Sequence, residues 1–394
     1  MNQRLIITLS VLIGLLLSTI TFAWYHDWII INLPLHATEQ QHANVNKSYK
    51  KKVALFYTKN NKQQHEEREL LWSSITDDAA LTLVQAWLAL LEEEEIFSKK
   101  ITLQQAAVSA SGDELLLSFD QPPFDKDASA FKKMILLEDL LKTLRAAFGG
   151  AIKKIRFLVN HKPLQDLHLD FSQPWPVDGF RQNNTEQKTQ NPIWSEKNKI
   201  TIMIDPAGDA RTTGRIIDDV FERSITVHAA QELKKTLEEK FPGMRIILTR
   251  YPGETVEPLQ NAAFANRLHV DLYLSIHCYQ EKQGNPHCAL YHFLYDPTAD
   301  WWPTKTSSMA LYPYQQAHRD SVAASAAIAQ LLYKELLEQK GFLIVEPIQA
   351  FPFKPLIGVH APAIGVEIGL PKKDDWALVI DALSKAVQKL FLQS

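Results

Sequence analysis

The sequence predicts an α/β protein: a mostly parallel, twisted sheet between helices over residues 198–394, preceded by a small α/β domain and an N-terminal membrane anchor. Three observations carry this expectation. From Lys199 onward, short apolar runs alternate with amphipathic stretches, the pattern of parallel strands joined by helices. A shorter alternation of strands and helices runs from Lys52 to Val159. The chain also opens on an apolar segment of about 19 residues, enough to cross a bilayer core as a helix.

That opening segment is Leu5 to Ala23, behind the single positive charge of Arg4. Trp24, Tyr25 and Trp28 follow as an interfacial aromatic belt would. An uncleaved signal anchor over residues 1–30 is the expectation. The rival is a cleaved signal peptide, with Thr21 and Ala23 as the small residues before the cut. Either way the rest of the chain lies outside the cytoplasm, with the inner membrane as a partner in the first case. The remaining composition is ordinary for a globular protein, 46% hydrophobic and 22% charged. A net charge of -3 gives no pull toward polyanions, so no nucleic-acid partner is expected.

In the small domain, residues 50–174, Val53 to Tyr57 reads as a strand. Asp77 to Glu95 has helical apolar spacing, with Asp77 as its N-cap. Leu115 to Phe119 is a strand after the Ser111-Gly112-Asp113 turn. Met134 to Phe148 is a helix stopped by Gly149-Gly150, and Ile155 to Val159 is a strand. No acid, base and nucleophile converge here, which favours a binding or spacing module. Residues 175–197, rich in Gln, Asn, Thr and Pro, are expected to be a disordered linker.

In residues 198–394 the expected strands are Ile200 to Ile204, Arg245 to Leu248, Leu272 to Ile276, Ala289 to Tyr295 and Ala363 to Ile368. The expected helices are Phe221 to Lys240, Leu259 to Leu268, Ser321 to Leu337 and Trp376 to Phe391. Ligands of such sheets gather at the carboxyl ends of strands. His277 lies at such an end, and Glu367 lies within an apolar strand where an unpartnered charge is costly. Glu222 opens a helix. Amide hydrolysis needs an activated water, a polarised carbonyl and a proton for the leaving nitrogen. A zinc ion on three protein ligands supplies the first two and a carboxylate the third. Glu222 and His277 are therefore candidate metal ligands and Glu367 the candidate acid/base. Each residue alone also has a plainer reading, as a first-turn carboxylate, a hydrogen-bonded histidine and a paired buried charge.

The two cysteines, Cys278 and Cys288, leave a disulfide, two free thiols or a cluster with His277 and His287 open. Trp301-Trp302 and the aromatic stretch to Tyr314 read as a sugar-lining loop or as a surface excursion.

Asp205-Pro206, Glu222, Thr249-Arg250, Ala265-Asn266, Ser275-Ile276-His277 and Val366-Glu367-Ile368-Gly369 occur in the order seen in the zinc-dependent N-acetylmuramoyl-L-alanine amidases of bacterial cell walls, family 3 type, which this segment resembles. The resemblance implies a peptidoglycan substrate, the MurNAc–L-Ala amide bond, and carries Glu222 and His277 over as zinc ligands and Glu367 as acid/base. Two positions depart from it. The first histidine ligand falls on Gly208, and an expected arginine is Ala262. Asp209 is the candidate substitute ligand. The alternatives are an active peptidoglycan hydrolase and a degenerate homologue that binds peptidoglycan or an envelope partner. Residues 50–174, through Ala54 to Tyr57, Arg68, Asn160-His161-Lys162 and Asp170 to Pro174, resemble a GerMN-type domain of envelope proteins.

Overall fold

A computed structural model describes residues 12–19, 21, 48–97, 99–180, 199–257, 259–282, 284–296, 313–339 and 341–392. The chain divides into two units, Met1–Lys47 and Ser48–Ser394. In the first unit residues 12–19 form an exposed helix, α1. Among the described residues no helix is long and apolar enough to cross a membrane. Most of the anchor expected over residues 1–30 lies outside them, as does the Trp301-Trp302 segment.

The second unit begins with an antiparallel hairpin, β1 (Tyr49–Lys59) and β2 (Lys62–Trp72). The sequence did not announce β2, because its first eight positions, Lys62 to Glu69, are all polar or charged, and the strand stays largely exposed on its partner. Helix α2 (Thr76–Glu93) follows. Its N-cap is Ile75 without a side-chain bond, and the expected cap Asp77 instead accepts the Val108 amide at 2.9 Å, tying the helix to a neighbouring strand. Strands β3 (Leu103–Val108), β4 (Glu114–Phe119), β5 (Lys154–Val159), β6 (Lys162–Pro163) and β7 (Trp175–Pro176) make a five-stranded sheet.

Helix α3 (Ala130–Phe148) crosses between β4 and β5 and starts four residues before the apolar spacing suggested. Ser129 is the reason: its hydroxyl accepts the Lys132 amide at 3.1 Å and so sets the helix start. The far end stops at Gly149 in the left-handed conformation, as the glycine pair implied.

The linker expected from residue 175 begins later. Trp175, Val177 and Phe180 are buried, and Trp175 stacks on Phe171 at 4.8 Å between ring centroids. Large aromatic rings outweigh the polar composition around them. Residues 181–198 lie outside the described residues.

The second half is a seven-stranded sheet in the order β11-β8-β12-β16-β13-β14, with β15 also on β13. Its strands are β8 (Ile200–Pro206), β11 (Met244–Leu248), β12 (Leu272–Gln280), β13 (His287–Phe293), β14 (Ile344–Val345), β15 (Gln349–Phe351) and β16 (Ala363–Leu370). The pairs among β11, β8, β12 and β16 are parallel and β13 runs antiparallel to β16. A small hairpin, β9 (Ile216–Ile217) with β10 (Val220–Phe221), precedes α4 (Glu222–Lys240). Helices α5 (Gln260–Leu268), α6 (Val322–Leu337) and α7 (Trp376–Leu392) complete it.

Two apolar clusters make the interior. One joins the sheet to α4, α6 and α7 through residues such as Ile204, Ile276, Leu233, Leu332 and Leu383. The other starts in the first half, with Trp87, Leu117 and Leu140, and runs on through Tyr273, Tyr291 and Phe353 of the second. The two halves thus share one core, and apolar burial joins them. The chain also crosses between them by backbone: Asp170 N donates to Pro352 O at 2.9 Å and Lys354 N to His168 O at 2.7 Å.

Cys278 and Cys288 are free, buried thiols. They pair in register with opposite sides of Ile368 on β16, so two strand spacings, about 10 Å, separate them, beyond a disulfide's reach. Burial pushes the Cys288 thiol up to about 12.

Candidate functional site

Asp205 and Pro206 end β8, and the next residues turn under α4. Asp205 accepts the Thr249 hydroxyl and the Asn261 amide, each at 2.7 Å, and the Ser275 hydroxyl at 3.1 Å. One carboxylate thereby ties together the residue that follows β11, the first turn of α5 and the middle of β12. Arg250 is buried and donates to the carbonyls of Pro206, Ala207 and Arg223. Both residues shape the loop, and Asp205 reaches His277 one bond further on, through the Ser275 hydroxyl.

Gly208 has φ +75°. A Cβ there would come within 2.8 Å of Arg223 Cβ and 2.9 Å of the Thr212 carbonyl. Both the backbone conformation and the space refuse a side chain, so a histidine does not fit this position. Asp209 does not replace it. Its Oδ1 accepts the amides of Arg211 at 2.8 Å and Thr212 at 2.5 Å, and its Oδ2 accepts that of Val256 at 3.0 Å. Burial works against its charge, but the Thr212, Val256 and Arg211 amides outweigh it and hold the carboxyl below its ordinary range. The expected substitute ligand is a loop-forming residue.

Glu222 is the first residue of α4 and is fully buried. The β9–β10 hairpin returns the chain so that Arg215 N donates to Glu222 Oε2 at 2.9 Å, while Cys278 N donates to Oε1 at 2.9 Å. Gly214 lies against this carboxylate, where a Cβ would meet Oε2 at 2.5 Å. Burial alone would raise the Glu222 pKa; the neighbouring His277 imidazole and the Arg215 charge lower it instead.

His277 is buried on β12, with Nε2 at 3.0 Å from the Ser275 hydroxyl. Its Nδ1 is 3.6 Å from Glu222 Oε1 and is a buried atom without a hydrogen-bond partner among the described residues. The sequence placed these two residues together and the structure does so.

The third member comes from the first half. His168 is buried, with its ring edge-on to His277 at 5.0 Å between centroids. Ligand atoms of His168, Glu222 and His277 all lie within 4.8 Å of one another. Asp166 fixes the His168 turn by accepting the His168 and Leu169 amides at 2.8 and 2.9 Å, and itself pairs with the buried Lys133 ammonium at 2.6 Å. Burial, with the Arg215 and His277 groups nearby, pushes the His168 pKa well below its ordinary value and so favours the neutral imidazole. Two imidazoles and one carboxylate suit zinc chemically, and the partnerless Nδ1 of His277 is the atom such a metal would satisfy.

Glu367 pairs in register with His277 on the next strand and has no exposed surface. Both of its oxygens accept the Ala130 amide, at 3.0 and 2.8 Å. Oε2 also accepts the Tyr291 hydroxyl at 2.6 Å, and Oε1 pairs with Arg215 Nη1 at 2.9 Å. The adjacent Phe131 amide donates to the Tyr291 oxygen at 3.0 Å. Glu367 and Tyr291 thereby occupy the open N-terminus of α3, where unpaired N–H groups and the helix dipole favour an anion. Arg215 completes the link, donating from Nη2 to Ala128 O at 2.7 Å and lying 3.3 Å from His168 Nδ1.

Sequence reasoning missed His168, Arg215, Tyr291 and the Ala130 amide. His168 and Ala130 belong to another module in the chain, and an amide leaves no trace in a sequence. Arg215 carried one faint signal, the glycine before it. A nearby cleft of about 820 Å³, lined by Glu254, Val256, Gln260 and Arg267, includes none of the candidate residues.

Residues 202–389, just under half of the chain, match the sequence profile of the family described as N-acetylmuramoyl-L-alanine amidase. No curated protein matches the sequence. Solved structures of three such amidases are similar over about half of this chain. One from Nostoc punctiforme has 18% identity and a TM-score of 0.36, covering 49% of this chain and 96% of that one. The catalytic domain of one from Bacillus (Paenibacillus) polymyxa var. colistinus has 17% identity and a TM-score of 0.36, covering 48% and 97%. One from Clostridium difficile 630 has 19% identity and a TM-score of 0.35, covering 50% and 97%.

Proposed function

We propose that this is a cell-wall protein whose amidase-like half, residues 202–389, engages peptidoglycan and, in the closed arrangement described above, does not cut it. The observation that carries this reading is the state of Glu367. A general acid/base must come within about 3 Å of the proton it moves in a bound substrate. Glu367 is wholly buried, with both oxygens committed to Ala130, Tyr291 and Arg215. A glycan strand or stem peptide reaches it only after the first half withdraws.

The second reading, a MurNAc–L-Ala amidase that works once opened, is favoured by the three convergent donors, His168, Glu222 and His277. Zinc bound by such donors supplies a polarised carbonyl and an activated water. Glu222 and His277 would hold the ion, and a carboxylate oxygen of Glu367 would take the water's proton and pass it to the leaving nitrogen. The first half, on the residues that liken it to a GerMN-type domain, is the binding or spacing module, and an N-terminal anchor in the inner membrane would hold the whole at the envelope, outside the cytoplasm.

The test incubates the full chain with isolated sacculi and follows both co-sedimentation and release of stem peptides with free L-alanine amino groups. Binding without release is the expected result. Release by the unmodified full chain overturns the closed reading.

A further inference from the structure

We infer that His168 is a metal ligand supplied across the joint between the halves, so that the metal site is completed only when the two halves are docked. This goes beyond the reading above and stands whether or not sacculi are cut.

Residue 208 takes a left-handed turn with Arg223 Cβ and the Thr212 carbonyl in the space of its absent side chain, so that loop offers no imidazole. Its neighbour Asp209 is consumed by three backbone amides. Among the described residues the second half by itself therefore presents two donors here, Glu222 and His277, where zinc sites take three or more from protein. The shortfall is met by a residue of the first half. His168 brings a ligand atom within 4.8 Å of those of Glu222 and His277. The structure holds it there with unusual determination: Asp166 caps its turn, Lys133 neutralises Asp166, and Lys354 N ties its carbonyl to the second half. Phe353 backs the ring, 6.2 Å from His168 and 5.3 Å from His277 between centroids. The buried Nδ1 of His277 has no hydrogen-bond partner among the described residues and lies 3.6 Å from Glu222 Oε1, so it is the atom a metal at the same place would satisfy.

The test loads the full-length protein with zinc, and separately with cobalt(II), after chelator treatment. Wild type is expected to hold about one zinc per chain. His168→Asn should bind zinc roughly 100-fold more weakly or worse, beyond the 10- to 100-fold typical of losing a supporting group, while His161→Asn, an exposed histidine of the same half, should bind like wild type. His168→Cys answers the case in which the Asn variant fails to fold. With cobalt(II) it should retain metal and gain a thiolate-to-metal charge-transfer band that wild type lacks, which shows residue 168 touching the ion. Wild type without metal overturns the inference. So does undiminished zinc affinity in His168→Asn, or bound cobalt without the thiolate band in His168→Cys.

Discussion

Glu222 and His277 reach the candidate site from regular elements of the second half, the start of α4 and the run of β12. His168 and the Ala130 amide reach it from the first half, one on a turn capped by Asp166 and the other at the open end of α3. The first pair is held by secondary structure that would form from local pattern. The second pair is in place only because two modules share an apolar core. A site can thus look deficient in one module and be completed, and covered, by its neighbour.

The sharpest way to break this comparison is to remove the group that bridges both sides. Arg215→Ala deletes the cation between Glu367, Cys278 O and Ala128 O and strands a buried carboxylate. Breaking a buried pair of this kind costs about 3–5 kcal/mol. Denaturant unfolding of the full chain should show a loss of that size; a loss under about 1 kcal/mol, the value of an exposed pair, would mean Arg215 is not the bridge.

A pH experiment separates the second half's own core from the joint. His292 on β13 is buried, and that burial depresses its pKa to about 4. The unfolded chain binds this proton near pH 6.5 and the folded chain resists it until about pH 4. Its contribution is therefore fully present above about pH 6.5 and is lost as pH falls toward 4, by about 3 kcal/mol at most. His292→Gln should flatten that part of the stability curve, measured by chemical denaturation between pH 7 and pH 4. An unchanged slope would show that other groups, on either side of the joint, set the acid sensitivity.

The smallest effect concerns the hole in the motif. Gly208→His restores the residue the resemblance calls for, yet the turn and the contact with Arg223 oppose it. The expected outcome is a destabilisation of about 1–3 kcal/mol from left-handed strain and crowding, seen as a lower melting temperature, with no tighter zinc binding. A stable variant that binds zinc more tightly would contradict the steric account of position 208.

Legibility in the sequence follows the same divide. The parallel strands β8, β12 and β16 were readable because continuous apolar runs have few other uses; His277 and Glu367 were readable because imidazole or charge interrupts such runs, and Glu222 as a carboxylate opening a helix. The start of α3 was not, since Ser129 acts as a cap through three-dimensional geometry and the apolar spacing begins only at Met134. The packed turn around Trp175 was hidden by polar neighbours. His168 was out of reach for a different reason: its partner Glu222 is 54 residues away along the chain, and nothing local marks it. Asp209 misled because adjacency to Gly208 suggested reach, whereas three amides turn its carboxylate into the loop.

The first half closes over Glu367 through the N-terminus of α3, where Ala130 N donates to both carboxylate oxygens. Residue-resolved hydrogen exchange of the Ala130 and Phe131 amides tests it most directly. The first amides of a helix have no partner within the helix and exchange quickly when solvent reaches them. Because Glu367 and Tyr291 accept these two, they should exchange as slowly as the amides of β16. Exchange at the rate of an open helix end, with β16 still protected, would contradict the account.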